Sequence, residues 1–172
     1  MLKWLTRRRY ESNIENTYDE IVKQARRPEL MTKFHIADNI DGRFDSLCLH
    51  MCLVLKRLKT DPELTRQYCQ DLFDFMFLDM DQSLREMGVG DLSVGNRVKE
   101  MGKAFLGRLR VYESVIDAKD DKLQEALIRN VYRGNAGCSE YAEKLACYTR
   151  QIDKNLANIP INEIMEGKVT LH

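Results

Sequence analysis

The sequence predicts an all-α protein, a single compact domain of six or seven helices built around a central helical hairpin. Three observations lead there. Apolar residues recur at spacings of three and four through most of the 172 residues. No stretch alternates with period two for long enough to make a strand. Only 3 prolines interrupt a chain that is 31% charged, which suits long helices with solvated outer faces. The length is that of one ordinary domain and permits a substantial core.

Residues 1–11 form a basic and apolar segment. Trp4 beside Arg7, Arg8 and Arg9 suits an anionic membrane surface, with the ring among headgroups and the cations outward. It equally suits a terminus whose tryptophan packs on the domain. The helical domain is expected over 12–160. Ser12 or Asn13 is a candidate cap for a first helix reaching Arg26, with Ile14, Tyr18, Ile21, Val22 and Ala25 inward. Pro28 stops it or opens a short turn. Phe34 to Arg43 has a loop composition, Asp38, Asn39, Asp41 and Gly42 among it. His35 is expected to face solvent or a partner.

Asp45 or Ser46 is then expected to open a helix to about Lys59 that is apolar over most of its circumference and therefore central to the core. His50 lies off its main stripe. Asp61, Pro62 and Glu63 make a helix start of cap, proline and first-turn acid. The helix that follows carries Phe73, Met76, Phe77, Met80, Leu84 and Met87 on one face. Gly88 and Gly90 end it. Asp91 or Ser93 caps the second arm, where Val94, Val98, Met101, Phe105, Leu109 and Tyr112 share a stripe. So short a joint brings the two faces together as a hairpin. Gly102 and Gly107 inside the second arm suggest that another backbone approaches there. Asp120 or Asp121, with Gln124 in a capping box, starts the next helix. Ser139 is expected to cap the last long one, which Ile159-Pro160 closes. Residues 161–172 are expected to be a loose tail with one turn near Glu163 to Met165.

Charge and motif bound the function. Lys plus Arg and Asp plus Glu are both 27, so a dedicated nucleic-acid binder is disfavoured on global charge. No apolar run approaches a membrane-spanning length, and MLKWLTRRRY has the wrong order for a secretory signal. A cytoplasmic location is expected, with the option of peripheral contact with the inner membrane. Five cysteines without CxxC spacing read as small buried apolar residues in a reducing compartment. Carboxylates crowd the first hairpin arm, yet none of the 3 histidines lies three residues after a glutamate, as a di-iron helix would need. Asp81 and Arg85 read instead as an i, i+4 pair. No phosphate loop, nucleophile elbow or zinc set is present, so no catalytic residue, cofactor, metal or small-molecule substrate is expected.

Two faces remain as binding candidates. The Phe- and Met-rich arm, with Phe73, Phe77 and Met80, suits a surface that adapts to varied apolar clients. Arg97, Lys99, Lys103, Arg108 and Arg110 make a basic face that suits RNA phosphates, acidic lipid or an acidic partner.

The run FLDMDQSLREMGVGDLSVGNRVKEM resembles the signature of the ubiquinol–cytochrome c chaperone family, assembly factors of respiratory complex III. LCLHMCLVLKRL, RQYCQDLFDFMF and ALIRNVY resemble it too, and the likeness spans Lys33 to Ile159. The resemblance implies a non-catalytic chaperone, a bacterial member of the family, that binds newly made cytochrome b before complex III assembles. Mitochondrial relatives work with a small partner protein and near the ribosomal exit. It also implies that Asp79, Asp81, Arg85, Glu86, Gly88, Gly90 and Asp91 belong to a client or partner surface. The alternative is an RNA- or ribosome-associated adaptor using the basic face.

Overall fold

The computed structural model describes residues 2–171, with side chains described from residue 12 onward. Eight α-helices follow in order: α1 (Leu2–Ala25), α2 (Pro28–Thr32), α3 (Ile40–Leu58), α4 (Pro62–Glu86), α5 (Asp91–Val115), α6 (Lys122–Asn130), α7 (Ser139–Ala157) and α8 (Ile161–Met165). Six of them have nine residues or more, α2 and α8 only five. Ser12 and Asn13 do not cap α1, which begins at Leu2. A capping residue marks where a helix is able to start, and the chain ahead of it is helical as well.

The helix α3 runs through the centre. Cys48, Leu49, Met51, Cys52, Leu53 and Val54 are all fully buried, because α1, α5 and α7 cover its different sides. Burial pushes the thiols of Cys48 and Cys52 well up, so both stay protonated. The polar groups on this helix find partners. Ser46 donates to the Ala25 carbonyl at 2.9 Å. His50, expected off the main stripe, is fully buried, with Nδ1 2.8 Å from the Ser46 carbonyl and Nε2 2.8 Å from the Tyr148 hydroxyl.

The start of α3 corrects the sequence reading. It lies at Ile40, not at Asp45 or Ser46, and Asn39 caps it by accepting from the Gly42 amide at 2.8 Å. The loop composition of Asp38 to Gly42 is in part a cap. Gly42 also permits a close approach, since a Cβ there would stand 2.0 Å from the Ala37 carbonyl oxygen. Gly42→Ala is therefore expected to force the 33–39 loop off α3 and to cost about 2–3 kcal/mol. Urea unfolding checks it, and an unchanged midpoint would refute the contact.

The hairpin of α4 and α5 forms as expected. Asp61 accepts from the Leu64 amide with Pro62 in the first turn. Gly88 takes a φ of 82°, as a helix end of this kind requires. Gly90, not Asp91 or Ser93, occupies the cap position of α5. Phe73 and Phe77 of α4 meet Phe105 of α5, ring centroids 5.6 and 6.3 Å apart. Gly102 is met by the Phe77 ring and not by a backbone, while nothing lies within 4 Å of a Cβ at Gly107.

Gln124 does not close a capping box. It donates instead to the Ser139 carbonyl and hydroxyl, joining α6 to the start of α7. The expected loose tail is docked: Val169 and Leu171 are buried, and Thr17 of α1 donates to the Ile164 carbonyl at 2.9 Å. Gly167 makes that path possible, with a φ of 75° and no room for a Cβ beside Asn16.

Candidate functional site

Two hollows of about 740 and 560 Å³ adjoin along one flank of the molecule and share Asn39, Ile40, Phe44, Leu84 and Met101. Together they make a trough. One wall is the C-terminal turn of α1 and the first turns of α3; the other is the end of α4 and the first half of α5. The early start of α3 creates it, since Ile40 and Phe44 would otherwise belong to a loop. Phe44 and Leu84 are buried in its floor, Met101 is half-buried, and Ile40 and Met87 stand about half exposed at its lips. Methionines at 80, 87 and 101 contribute to a lining that adapts its shape.

Charge is arranged around this floor. Arg43 pairs with Asp38 at 2.9 Å on the rim. Arg26 borders one hollow and Arg97 the other, both exposed and without an ion pair among the described residues. Beneath Phe44 lies a buried cluster. Asp45 is fully buried, with Arg108 2.6 Å from Oδ1 and Arg133 2.8 Å from Oδ2. The Arg108 guanidinium also stands 5.3 Å from the Phe44 ring centroid. Burial lifts the Asp45 carboxyl to about 6 against the pull of both arginines. Asp45, expected as a helix cap, thus ties α3, α5 and the segment after α6 together under the trough. Among the described residues no group of three or more His, Cys, Asp or Glu converges to hold a metal ion.

The sequence candidates fall into several places. Met80 is only 6% exposed: it belongs to the core and shows no more than an edge to the trough. Phe73 and Phe77 are half-buried in the α4–α5 seam and lie outside the trough. Asp79 and Glu86 border the trough. Asp79 accepts from the Tyr18 hydroxyl at 2.8 Å, which holds α1 to α4, and Glu86 accepts from Gln82. Asp81, Arg85 and Asp91 form a clamp across the corner, Arg85 donating to both carboxylates. The corner charges therefore shape the end of the trough at least as much as they present themselves.

The basic face divides likewise. Arg108 is 9% exposed and paired with Asp45, so it is withdrawn from that face. Arg97 faces the trough, while Lys99, Lys103 and Arg110 stand on the other flank of α5. The contiguous face that phosphate binding would use is reduced to three cations. Side chains of Trp4, Arg7, Arg8 and Arg9 lie outside the described residues. His35 is exposed with a φ of 52° and stacks on Tyr141, centroids 4.0 Å apart. Sequence reasoning missed Ile40, Phe44, Met101 and Arg133 as site residues. Asn39 followed by apolar residues at 40, 44 and 47 was a usable signal of an earlier helix start; nothing local marks Arg133.

The model of the ubiquinol-cytochrome C chaperone family matches residues 32–171. Ubiquinol-cytochrome-c reductase complex assembly factor 1 of Xenopus laevis is 24% identical over 123 residues, covering 72% of this chain and 62% of that protein. The Mus musculus protein of that name is 25% identical over 134 residues, 78% of this chain and 45% of its own. The chain thus spans about half of the length of these curated relatives. The crystal structure of the Cbp3 homolog from Brucella abortus superposes with a TM-score of 0.85 at 31% identity, over 100% of this chain and 97% of that one.

Proposed function

Given that the chain belongs to the ubiquinol–cytochrome C chaperone family, we propose that it is a non-catalytic assembly factor of complex III that holds newly made cytochrome b in the trough. The carrying observation is the trough itself: an open, methionine-containing apolar floor with an exposed arginine at each end that has no ion pair among the described residues, beside the corner built by the signature residues. An apolar segment of a membrane subunit buries its side chains there in place of lipid, and carboxylates near its ends meet Arg26 and Arg97. Ile40 and Met87 project enough to be covered by such a client. In this reading the protein acts from the cytoplasm, peripherally at the inner membrane where its client is inserted; no described helix is long and apolar enough to cross a membrane. A small partner protein would have the remaining exposed faces.

Deletion followed by complementation tests this. Assembled complex III and membrane cytochrome b are expected to fall on deletion and to return with the wild-type chain. Ile40→Asp with Met87→Asp is expected to leave folding intact, because both residues are exposed, and to restore less than a tenth of the cytochrome b. Ile40→Leu with Met87→Leu should restore nearly all of it. Unchanged cytochrome b on deletion would sink the proposal, and full rescue by the double aspartate variant would move the client elsewhere.

A further inference from the structure

On the flank of α5 away from the trough, Leu92, Lys99, Lys103, Leu106 and Arg110 recur at spacings of seven, four, three and four. All five are exposed, so they make one outward ridge of about 27 Å at 1.5 Å per residue. Leu92 is 94% exposed and Leu106 46%. Lys103 pairs only with the neighbouring, equally exposed Glu100, and Lys99 and Arg110 have no ion pair among the described residues. Glu113, the acid that would neutralise the lower end, is taken by Lys59 at 2.6 Å. The ridge is therefore net positive, with an apolar side chain near each end.

We infer that this ridge rests on an anionic lipid surface, the cations meeting phosphates while Leu92 and Leu106 enter the headgroup layer. Two leucines about 21 Å apart, with cations between them, do not make the contiguous buried cluster that a protein partner's hot spot needs. Leucine adds nothing to a phosphate contact on RNA, where an exposed aromatic platform would be expected instead. A fluid lipid surface asks for neither shape complementarity nor continuity, only apolar side chains at depth and cations above them. The trough lies on the other flank of α5, so both surfaces are available together. The inference refines the peripheral placement proposed above but stands on the ridge alone.

The test is co-sedimentation of the full chain with vesicles of two-thirds phosphatidylcholine and one-third phosphatidylglycerol, against phosphatidylcholine alone. Binding is expected only with the anionic lipid and is expected to weaken with salt. Lys99→Gln, Lys103→Gln and Arg110→Gln together should reduce it about a hundredfold, and Leu92→Asp with Leu106→Asp about tenfold. Both sets should keep the wild-type melting temperature. A set with Arg7, Arg8 and Arg9 changed to Gln separates the N-terminal segment. The inference is overturned if wild type ignores anionic vesicles, or if either ridge set binds like wild type. It also fails if the N-terminal set alone abolishes binding, or if the glutamine set loses affinity for a single-stranded RNA homopolymer while vesicle binding is unchanged. Cytochrome b levels report on the trough and not on these vesicles, so failure of one reading is distinguishable from failure of the other.

Discussion

Arg108→Met is expected to lower stability at pH 8 by about 3 kcal/mol, the cost of stranding one partner of a buried ion pair. Arg108 supplies the guanidinium 2.6 Å from Asp45 Oδ1, and without it only Arg133 remains, approaching the other oxygen from an exposed position. Methionine fills similar volume against Phe44, so the loss is electrostatic more than steric. The pH dependence identifies the cause. The folded-state pKa of Asp45 is raised from 3.8 to about 6, chiefly by burial. A raised carboxyl contributes stability that is fully present below 3.8 and is lost as pH rises through about 6. Removing Arg108 raises that carboxyl further, so the penalty should grow from pH 5 to pH 8. Adding Asp45→Asn should recover much of the loss at pH 8 by deleting the stranded charge. Urea unfolding of the two variants at both pH values measures this, and a penalty equal at pH 5 and pH 8 would rule out the electrostatic account.

His50→Gln is expected to reverse the acid response of the fold between pH 7 and pH 5. The neutral tautomer follows from the partners: Nδ1 must donate to the Ser46 carbonyl, which leaves Nε2 to accept from the Tyr148 hydroxyl, itself accepting from Gln24. A second proton would displace the Tyr148 donor inside the core. Burial accordingly pulls His50 from 6.5 down to about 4. A depressed histidine contributes stability present above 6.5 and lost as pH falls toward 4, about 2 kcal/mol of it by pH 5. Asp45 works the other way over the same interval, gaining about 1 kcal/mol as it takes up its proton. Wild type should therefore weaken only slightly on acidification. The glutamine variant, lacking the histidine, should become more stable relative to its own value at pH 7. Denaturation midpoints across the range decide it, and parallel profiles for the two proteins would show that His50 does not titrate in this window.

Much of the helical architecture was legible because its signals are local. The 3- and 4-residue apolar spacing, Asp61-Pro62 at a helix start and Gly88 at a helix end each act within a turn or two of the chain, and each stands in the structure as read. The α4–α5 hairpin followed from two apolar faces and a joint too short for anything else. Asn39 was visible as a polar loop residue but was not recognised as a cap, because Asp45 and Ser46 offered an equally good local start.

The site was less legible, since its chemistry depends on residues far apart in sequence. By residue type Arg108 looks like Lys103 and Arg110; its spacing of three and four from Phe105 and Tyr112 already sets it on the inner side of α5, but only the carboxylate of Asp45, brought in by α3, gives a cation a partner there. Met80 reads as part of an adaptable apolar face, and only the packed fold leaves it 6% exposed. Local sequence thus determined where helices form and which stripes are apolar, because propensity, capping and periodicity are short-range properties of the chain. The tertiary structure alone decided which charges are paired inside, which methionines are core and which line a trough. Burial and ion pairing depend on the elements packed opposite, and no single segment carries that information.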